Sequence, residues 1–268
     1  MLKLEDLISL ALEAGREINA VRAAGLDPQT KLDGSIVTLA DQRAEAVIEA
    51  GLKRLAPEVP MIGEESCAEG RIPVCGARWF CVDPLDGTKG FAAGGDQFTV
   101  NIALIENGDA KVGVVYAPAT GELYAGEPGR ALRGQCDPRT AELVGEIAPI
   151  KVAPPPPQWR IIASENSGRD ARTTAFVQRL NGAPAHASSS IKFCKVAAGE
   201  ADIYPRFGEV CEWDAAAGHA ILSAAGGAIM RLDGAPLTYG DREGGFLIRG
   251  FIAYANEAAK QAALKASA

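Results

Sequence analysis

Apolar residues recur at helical spacing in two segments near the start of the chain. Over residues 3–23, and again over residues 40–55, they follow the three-to-four-residue period that places them on one face of a helix. Thr38 and Asp41 occupy the positions of a capping box at the start of the second segment. We therefore predict two amphipathic helices joined by a loop over residues 25–37, which is rich in glycine, aspartate and proline.

The middle of the chain has the apolar runs and turn residues of a β-meander. Residues 79–82 predict a short buried strand, and Asn107-Gly108 is a strong signal for a hairpin turn. The strands that we expect to form the antiparallel meander cover residues 98–105, 111–116 and 121–125.

Strand and helix patterns alternate beyond a run of four prolines at residues 154–157. Because such a run favours an extended connector, we place a domain boundary just before it. We predict an α+β domain over residues 1–150 and an α/β domain over residues 151–268. The expected elements of the second domain are strands at 160–164 and 201–205, helices near 170–181, 189–198 and 214–225, and a helix-prone tail at 258–268.

Composition narrows the class of protein. A length of 268 residues, with 47% hydrophobic and 23% charged residues, fits one large globular domain or two small ones. The net charge of −7 disfavours non-specific binding to nucleic acid. We expect no membrane-spanning segment, because no run approaches about 18 apolar residues.

Six scattered cysteines without a CxxC pair predict a reduced, cytoplasmic protein. Peripheral contact with the inner membrane stays open, as does the choice between monomer and homodimer.

The central motif is a pair of aspartates, Asp83 and Asp86, at the end of the buried strand predicted above. Pro84 stiffens the segment between them, and two carboxylates held at a strand end suit a hard cation such as Mg²⁺. Backbone N–H groups at Gly87 and Thr88 suit a phosphate. A type I turn with aspartate at its corners is the structural alternative for this motif.

Three further acids, Asp41, Glu64 and Asp214, each have an alternative structural role. Asp41 could complement the start of a helix, Glu64 could be a solvated turn acid, and Asp214 could begin a helix rich in small residues. A site built from carboxylates and a bound cation would not need either of the two histidines as a general base. His186 is expected in a loop, and His219 is expected to pack within the helix that Asp214 begins.

Taken together, three stretches resemble the motifs of the inositol monophosphatase superfamily, whose members are Mg²⁺-dependent, lithium-sensitive phosphatases. The stretches are Gly63-Glu64-Glu65-Ser66, Asp83-Pro84-Leu85-Asp86-Gly87-Thr88 and Trp213-Asp214-Ala215-Ala216-Ala217-Gly218, in that order. The resemblance extends from Val37 to about Phe251, and it implies the layered αβαβα sandwich of that superfamily.

Within the superfamily, five segments look like those of the bacterial bisphosphate nucleotidases. Those enzymes remove the 3'-phosphate from adenosine 3',5'-bisphosphate, a by-product of sulfate assimilation, and leave AMP. The segments are residues 83–89, 98–105, 113–118, 189–194 and 204–208. The resemblance implies a small phosphorylated nucleotide as the substrate. Two alternatives stay open: a phosphatase of the same superfamily that acts on inositol monophosphate or a sugar phosphate, and a catalytically silent phosphate-binding or scaffold protein.

The resemblance also implies a cofactor of two or three Mg²⁺ ions in each active site. Glu64, Asp83 and the Leu85 carbonyl would hold one ion, and Asp83, Asp86 and Asp214 would hold a second. This agrees with the chemistry, because a phosphate monoester dianion repels a nucleophile. Two Mg²⁺ ions about 3.5–4 Å apart offset that charge and lower the pKa of a bound water.

Further roles follow from the same resemblance. Thr88, hydrogen-bonded to Asp41, would orient the attacking water, and the backbone N–H groups of Gly87 and Thr88 would hold the scissile phosphate. The family often has a histidine near the substrate where residues 162–167 contain none. Residues expected to contact the substrate are Glu64, Leu85, Asp86, Gly87, Thr88, Ser189, Lys192, Arg206 and Asp214. The structural alternative is a solvated helix face for Lys192 and a surface ion pair for Arg206.

Overall fold

The computed structural model describes residues 2–25, 29–30, 36–164 and 170–267. Its helices are α1 (Leu4–Ala24), α2 (Leu39–Leu55), α3 (Glu64–Ala68), α4 (Thr88–Ala92), α5 (Ala171–Arg179), α6 (Ile191–Ala197), α7 (Glu212–Ala224) and α8 (Glu257–Ser267). Its strands are β1 (Gln29–Thr30), β2 (Ile36–Val37), β3 (Met61–Gly63), β4 (Arg78–Asp86), β5 (Thr99–Glu106), β6 (Asp109–Ala117), β7 (Glu122–Glu127), β8 (Arg130–Gln135), β9 (Ala148–Pro149), β10 (Arg160–Ala163), β11 (Ala183–His186), β12 (Ile203–Arg206), β13 (Val210–Cys211), β14 (Ala228–Arg231), β15 (Leu247–Ile248) and β16 (Phe251–Tyr254).

Two sheets carry most of these strands. The seven-stranded sheet has the order β3-β4-β5-β6-β7-β8-β9, with β3 parallel to β4 and all later neighbours antiparallel. The five-stranded sheet has the order β11-β10-β12-β16-β14. The first sheet uses only strands β3 to β9 and the second only strands from β10 onward, while β1-β2 and β13-β15 form separate two-stranded pairs. On this ground we propose to divide the chain near residue 150.

Helices and sheets stack in five layers. Ile102 and Leu104 of β5 pack in the apolar cluster that also holds α1 and α2. Ala103 and Ile105 alternate with them and face the cluster formed by α6 and α7. That second cluster also includes residues of β10, β12 and β16, so α6 and α7 lie between the two sheets. Apolar residues of α5 and α8 cover the outer face of the five-stranded sheet. The predicted αβαβα sandwich is confirmed.

Most of the predicted elements are present. The two N-terminal helices are confirmed as α1 and α2, and Thr38 caps α2 by accepting a hydrogen bond from the Ala40 N–H. The hairpin turn is confirmed as well, because Asn107 and Gly108 both have positive φ angles, of 53° and 82°. Part of the loop predicted over 25–37 instead forms the β1–β2 pair, and residues 26–28 and 31–35 of that loop lie outside the described residues.

The strand predicted over 79–82 is longer than expected. β4 continues through Asp86, and its partner residues on β5 are Asn101 for Asp83 and Thr99 for Asp86. The pairing register shifts between these two pairs, so residues 83–86 form an irregular part of the strand. The alternative of a type I turn for this motif is therefore wrong.

Several strands were missed by the sequence patterns, β8, β9 and β11 among them. The meander continues into β8 after Pro128-Gly129, where Gly129 has a φ of 81°, and it ends in β9. His186 closes β11 and does not lie in a loop. All four residues of β11 are exposed at the sheet edge, so no apolar alternation marks it as a strand.

Within the described ranges, no helix has both the length and the apolar composition that crossing a membrane requires. All six cysteines are free thiols. His219 packs within α7 as predicted, with Nδ1 lying 2.9 Å from the Tyr239 hydroxyl. Burial lowers the pKa of His219 to about 4.

Candidate active site and metal centre

Three carboxylates from distant parts of the sequence converge at one end of the seven-stranded sheet. Gly63 pairs with Val82 in the parallel ladder between β3 and β4, so the next residues, Glu64 and Asp83, leave the ladder side by side. Asp214 comes from the first turn of α7. Oxygen atoms of Glu64, Asp83 and Asp214 all lie within 4.8 Å of one another.

These acids destabilise one another's ionised forms. Burial raises the pKa of Asp83 well above its usual range, and repulsion from Glu64, Asp86 and Asp214 raises it further. Burial, followed by repulsion from Asp86, raises the pKa of Asp214 to about 7. A bound cation would reverse this repulsion, and oxygen donors of this kind are those that Mg²⁺ prefers. The residues present therefore fit a Mg²⁺ site.

Asp86 lies outside the group of three and is held by a different neighbour. Ser190 Oγ lies 3.2 Å from Asp86 Oδ2 and 2.8 Å from the Asp214 carbonyl oxygen. Burial raises the pKa of Asp86, while the positive charge of Lys192 acts in the opposite direction. Ser190 links two of the predicted ligand residues, and it was missed at the sequence level although its neighbour Ser189 was identified.

The segment after Asp83 is held by hydrogen bonds to its own side chains. The Leu85 N–H donates to Asp83 Oδ1 at 2.9 Å, and the Leu85 carbonyl lies 2.9 Å from Thr88 Oγ1. Gly87 has a φ of 100°, and a Cβ atom there would lie 2.9 Å from the Gln97 carbonyl oxygen. Glycine is therefore needed for the chain to turn into α4, which begins at Thr88.

Asp41 makes the contacts that both of its alternative roles would require. Its Oδ2 accepts hydrogen bonds from the Thr38 N–H at 2.8 Å and the Thr38 hydroxyl at 2.7 Å, which completes the cap of α2. Its Oδ1 lies 2.9 Å from Thr88 Oγ1. Burial raises the pKa of Asp41 despite these contacts.

A cavity of about 200 Å³ adjoins the carboxylates. Asp86 and Asp214 line one part of it, and Lys192 and Arg206 supply positive charge. Further lining residues include Ser164, Ser188, Ser189, Phe193, Tyr204, Val210 and Phe251. The cavity thus brings all three predicted nucleotide-contacting residues, Ser189, Lys192 and Arg206, next to the predicted metal ligands.

The two cations of this cavity are not ordinary surface charges. Lys192 is only 4% exposed, donates to the Ser189 carbonyl and lies with Nζ 5.2 Å from the centre of the Tyr204 ring. The alternative of a solvated helix face is therefore wrong for Lys192. Arg206 is half-buried, with Nη1 3.4 Å from Ser164 Oγ and Nη2 3.3 Å from the Glu209 carbonyl.

Among the described residues, Arg206 has no partner for the surface ion pair that was its alternative. Within the part of the chain that the structure describes, no carboxylate lies within ion-pair distance of it. Ser189, which lines the same cavity as the two cations, has a positive φ of 53°. Its buried hydroxyl has no hydrogen-bond partner among the described residues. Unusual backbone geometry of this kind is concentrated at binding and active sites.

The family model for the inositol monophosphatase family matches residues 3–265, and the chain belongs to that family of metal-dependent phosphatases. It is 39% identical over 251 residues to the 3'(2'),5'-bisphosphate nucleotidase CysQ of Shigella flexneri. This alignment covers 92% of this chain and 98% of the relative. The crystal structure of CysQ from Bacteroides thetaiotaomicron matches with a TM-score of 0.75 at 31% identity, over 94% of this chain and 96% of that one. The inositol-1-monophosphatase of Bacillus subtilis is 28% identical, over 85% of this chain and 84% of the relative.

Proposed function

We propose that this protein is a Mg²⁺-dependent 3'(2'),5'-bisphosphate nucleotidase of the CysQ type. Its substrate would be adenosine 3',5'-bisphosphate, which it would hydrolyse to AMP and phosphate. One observation carries the proposal: a single cavity joins the predicted metal ligands Asp86 and Asp214 to the cations Lys192 and Arg206. A substrate with two phosphates can place one at each side of such a cavity.

Metal binding would involve Glu64, Asp83, Asp86, Asp214 and the carbonyl oxygen of Leu85. The mutual closeness of three of these carboxylates supports a first ion, and the proximity of Asp86 supports a second. We propose two or three ions per active site. When bound, Mg²⁺ supplies charge neutralisation of the phosphate and a lower pKa for a coordinated water.

Thr88 and Asp41 would act together on the attacking water. If the Thr88 hydroxyl donates its only hydrogen bond to Asp41 Oδ1, its oxygen remains available to accept a hydrogen bond from the attacking water. The raised pKa of Asp41 makes its carboxylate a better proton acceptor than an exposed aspartate. The N–H groups of Gly87 and Thr88, at the start of α4, would hold the scissile phosphate, because the first N–H groups of a helix have no acceptor within it.

Selectivity would come from the opposite side of the cavity. Any member of the family can hold a single phosphate at the metal ligands, so a nucleotidase needs groups that reach the remainder of its substrate. Lys192 and Arg206 would bind the second phosphate, and the unpartnered hydroxyl of Ser189 would donate to it. An inositol monophosphate or a sugar monophosphate has no second phosphate for these groups, which makes a monophosphatase the weaker candidate.

The proposed location is the cytoplasm, and peripheral contact with the inner membrane remains the alternative. The six free thiols support a reducing compartment. The protein would act as a monomer or homodimer on a small nucleotide, without binding nucleic acid, which agrees with its net charge of −7.

Phosphate release from a small panel tests the proposal. Adenosine 3',5'-bisphosphate, inositol 1-phosphate and fructose 1,6-bisphosphate are each supplied with Mg²⁺ or with excess chelator. We expect the highest kcat/KM for the nucleotide and no turnover in chelator. Faster hydrolysis of inositol 1-phosphate would favour the alternative phosphatase, and no hydrolysis of any substrate would favour the binding protein.

A further inference from the structure

A buried acid on α2, Glu45, contacts the segment that carries Glu64. Glu45 is only 3% exposed to solvent. Its Oε2 accepts a hydrogen bond from the Glu65 N–H at 2.8 Å, and its Oε1 accepts one from the Ser66 N–H at 2.7 Å. The Ser66 hydroxyl donates to the same Oε1. Three donors to one carboxylate make a strong, charge-assisted set of contacts.

The same carboxylate also limits the residue before Glu64. A Cβ atom built on Gly63 would lie 2.8 Å from both Cδ and Oε2 of Glu45. The backbone at Gly63 has an ordinary extended conformation, with a φ of −114°, so glycine is not needed there for its backbone freedom. The close approach of Glu45 explains the glycine, and it places the Glu45 carboxylate against the backbone on both sides of Glu64.

Glu45 lies one helical turn after Asp41 on α2, and the two acids hold different parts of the candidate site. Asp41 contacts Thr88, whereas Glu45 contacts the backbone around Glu64. Residues four apart project from the same face of a helix. One rigid helix of 17 residues therefore fixes both the proposed water-orienting hydroxyl and the segment of a proposed metal ligand.

We propose that Glu45 is a positioning residue for the metal centre, which holds the backbone of residues 63–66 so that the Glu64 carboxylate meets Asp83 and Asp214. This inference rests on the proposed function, because it assumes that Glu64 is a metal ligand. Residues that orient metal ligands from behind commonly change metal affinity or activity by 10- to 100-fold when they are replaced.

The test is a calorimetric titration of the substrate-free protein with Mg²⁺. Glu45→Gln keeps the shape of the side chain but turns one acceptor oxygen into an NH₂ group that faces backbone N–H donors. We expect it to weaken Mg²⁺ binding by at least about tenfold. Gly63→Ala should weaken binding in the same direction, because the added methyl group displaces the Glu45 carboxylate. Ser66→Ala, which removes one of three donors, should have a smaller effect and remain folded.

Glu49→Gln is the matched control. Glu49 lies one turn further along α2, is exposed, and lies 3.9 Å from Arg71 in a surface ion pair. Its loss should leave Mg²⁺ affinity within twofold of the wild type. A second readout is the Mg²⁺ dependence of turnover: in Glu45→Gln, raising Mg²⁺ should restore most of kcat, which replacing Glu64 itself should not allow.

Three negative results are informative: the first two overturn this inference, and the third overturns the proposed function. If the wild type binds Mg²⁺ and Glu45→Gln binds it equally well, with only a lower melting temperature, Glu45 is a structural acid and this inference is wrong. If Glu45→Gln does not fold, unchanged Mg²⁺ affinity in both Gly63→Ala and Ser66→Ala overturns it. If the wild type itself binds no Mg²⁺, the proposed function fails first.

Discussion

Replacing Arg206 with alanine should impair hydrolysis of a bisphosphate far more than hydrolysis of a monophosphate. Arg206 lines the cavity with Asp86, and the hydrogen bonds that hold it in the described structure are long, at 3.3–3.4 Å, and go to neutral oxygens. A phosphate would offer it shorter, charge-assisted contacts. Losing such a hydrogen bond costs roughly 1.5–3 kcal/mol. At about 1.4 kcal/mol per decade, this corresponds to a roughly 10- to 100-fold loss in kcat/KM.

The assay compares kcat/KM for adenosine 3',5'-bisphosphate and for 3'-AMP at saturating Mg²⁺. The second substrate keeps the scissile phosphate and lacks the other one. Arg172→Ala is the matched control, because Arg172 is an exposed cation that stacks on Phe207 beside Arg206 and does not line the cavity. The control should show less than a threefold change on either substrate.

Equal losses of Arg206→Ala on both substrates would refute the reasoning. That result would mean that Arg206 acts on the scissile phosphate or on the fold, and the proposed division of the cavity between two phosphates would lose its main support. A similar loss in Arg172→Ala would show that general positive charge near the site, and not a specific contact, attracts the substrate.

Three further predictions follow from the site and its surroundings. Asp83→Asn should lower kcat by about three orders of magnitude, because Asp83 is the proposed ligand of both ions, and near-normal turnover in that variant would contradict the metal assignment. Thr88→Ala and Asp41→Asn should each slow turnover with little change in substrate affinity, and a double mutant that loses the full sum of both effects would show that the two do not act as a unit. The pKa of His219 is about 4 when folded against 6.5 ordinarily, so the unfolded state binds an extra proton between these values and stability falls as the pH drops from 6.5 to 4. In urea unfolding at pH 7 and pH 5, His219→Asn should avoid a loss of up to about 2 kcal/mol that the wild type shows, and identical pH dependence would exclude His219 as its source.

Local signals in the sequence were sufficient for much of the fold. The helical periods predicted α1 and α2, and Asn107-Gly108 predicted the hairpin between β5 and β6 because that turn requires positive φ at both residues. The sequence signals for strands were weaker where a strand buries only one face or none. The exposed edge strand β11, which ends at His186, has no apolar pattern, and the Pro128-Gly129 turn that leads into β8 was not recognised.

Motifs located the acids of the candidate site, but their surroundings required the tertiary structure. The contact between Asp41 and Thr88 was expected from the resemblance, whereas the simultaneous capping of α2 by Asp41 was weighed as an alternative to it. Ser190 and Glu45 were missed, because each acts through a partner more than 20 residues away or through backbone groups that no side-chain pattern marks. The burial of Lys192 likewise could not be predicted from its neighbours in the sequence, because it results from the position of a short helix between the two sheets.

The most direct test of the central claim is the identity of the products formed from adenosine 3',5'-bisphosphate, followed by phosphorus NMR with and without Mg²⁺. The proposed arrangement places the 3'-phosphate at the carboxylates and the other phosphate at Lys192 and Arg206. It predicts that 5'-AMP and inorganic phosphate appear in equal amounts, and only when Mg²⁺ is present. Formation of 3'-AMP would reverse the proposed orientation, and an unchanged substrate in the presence of Mg²⁺ would contradict the proposed function itself.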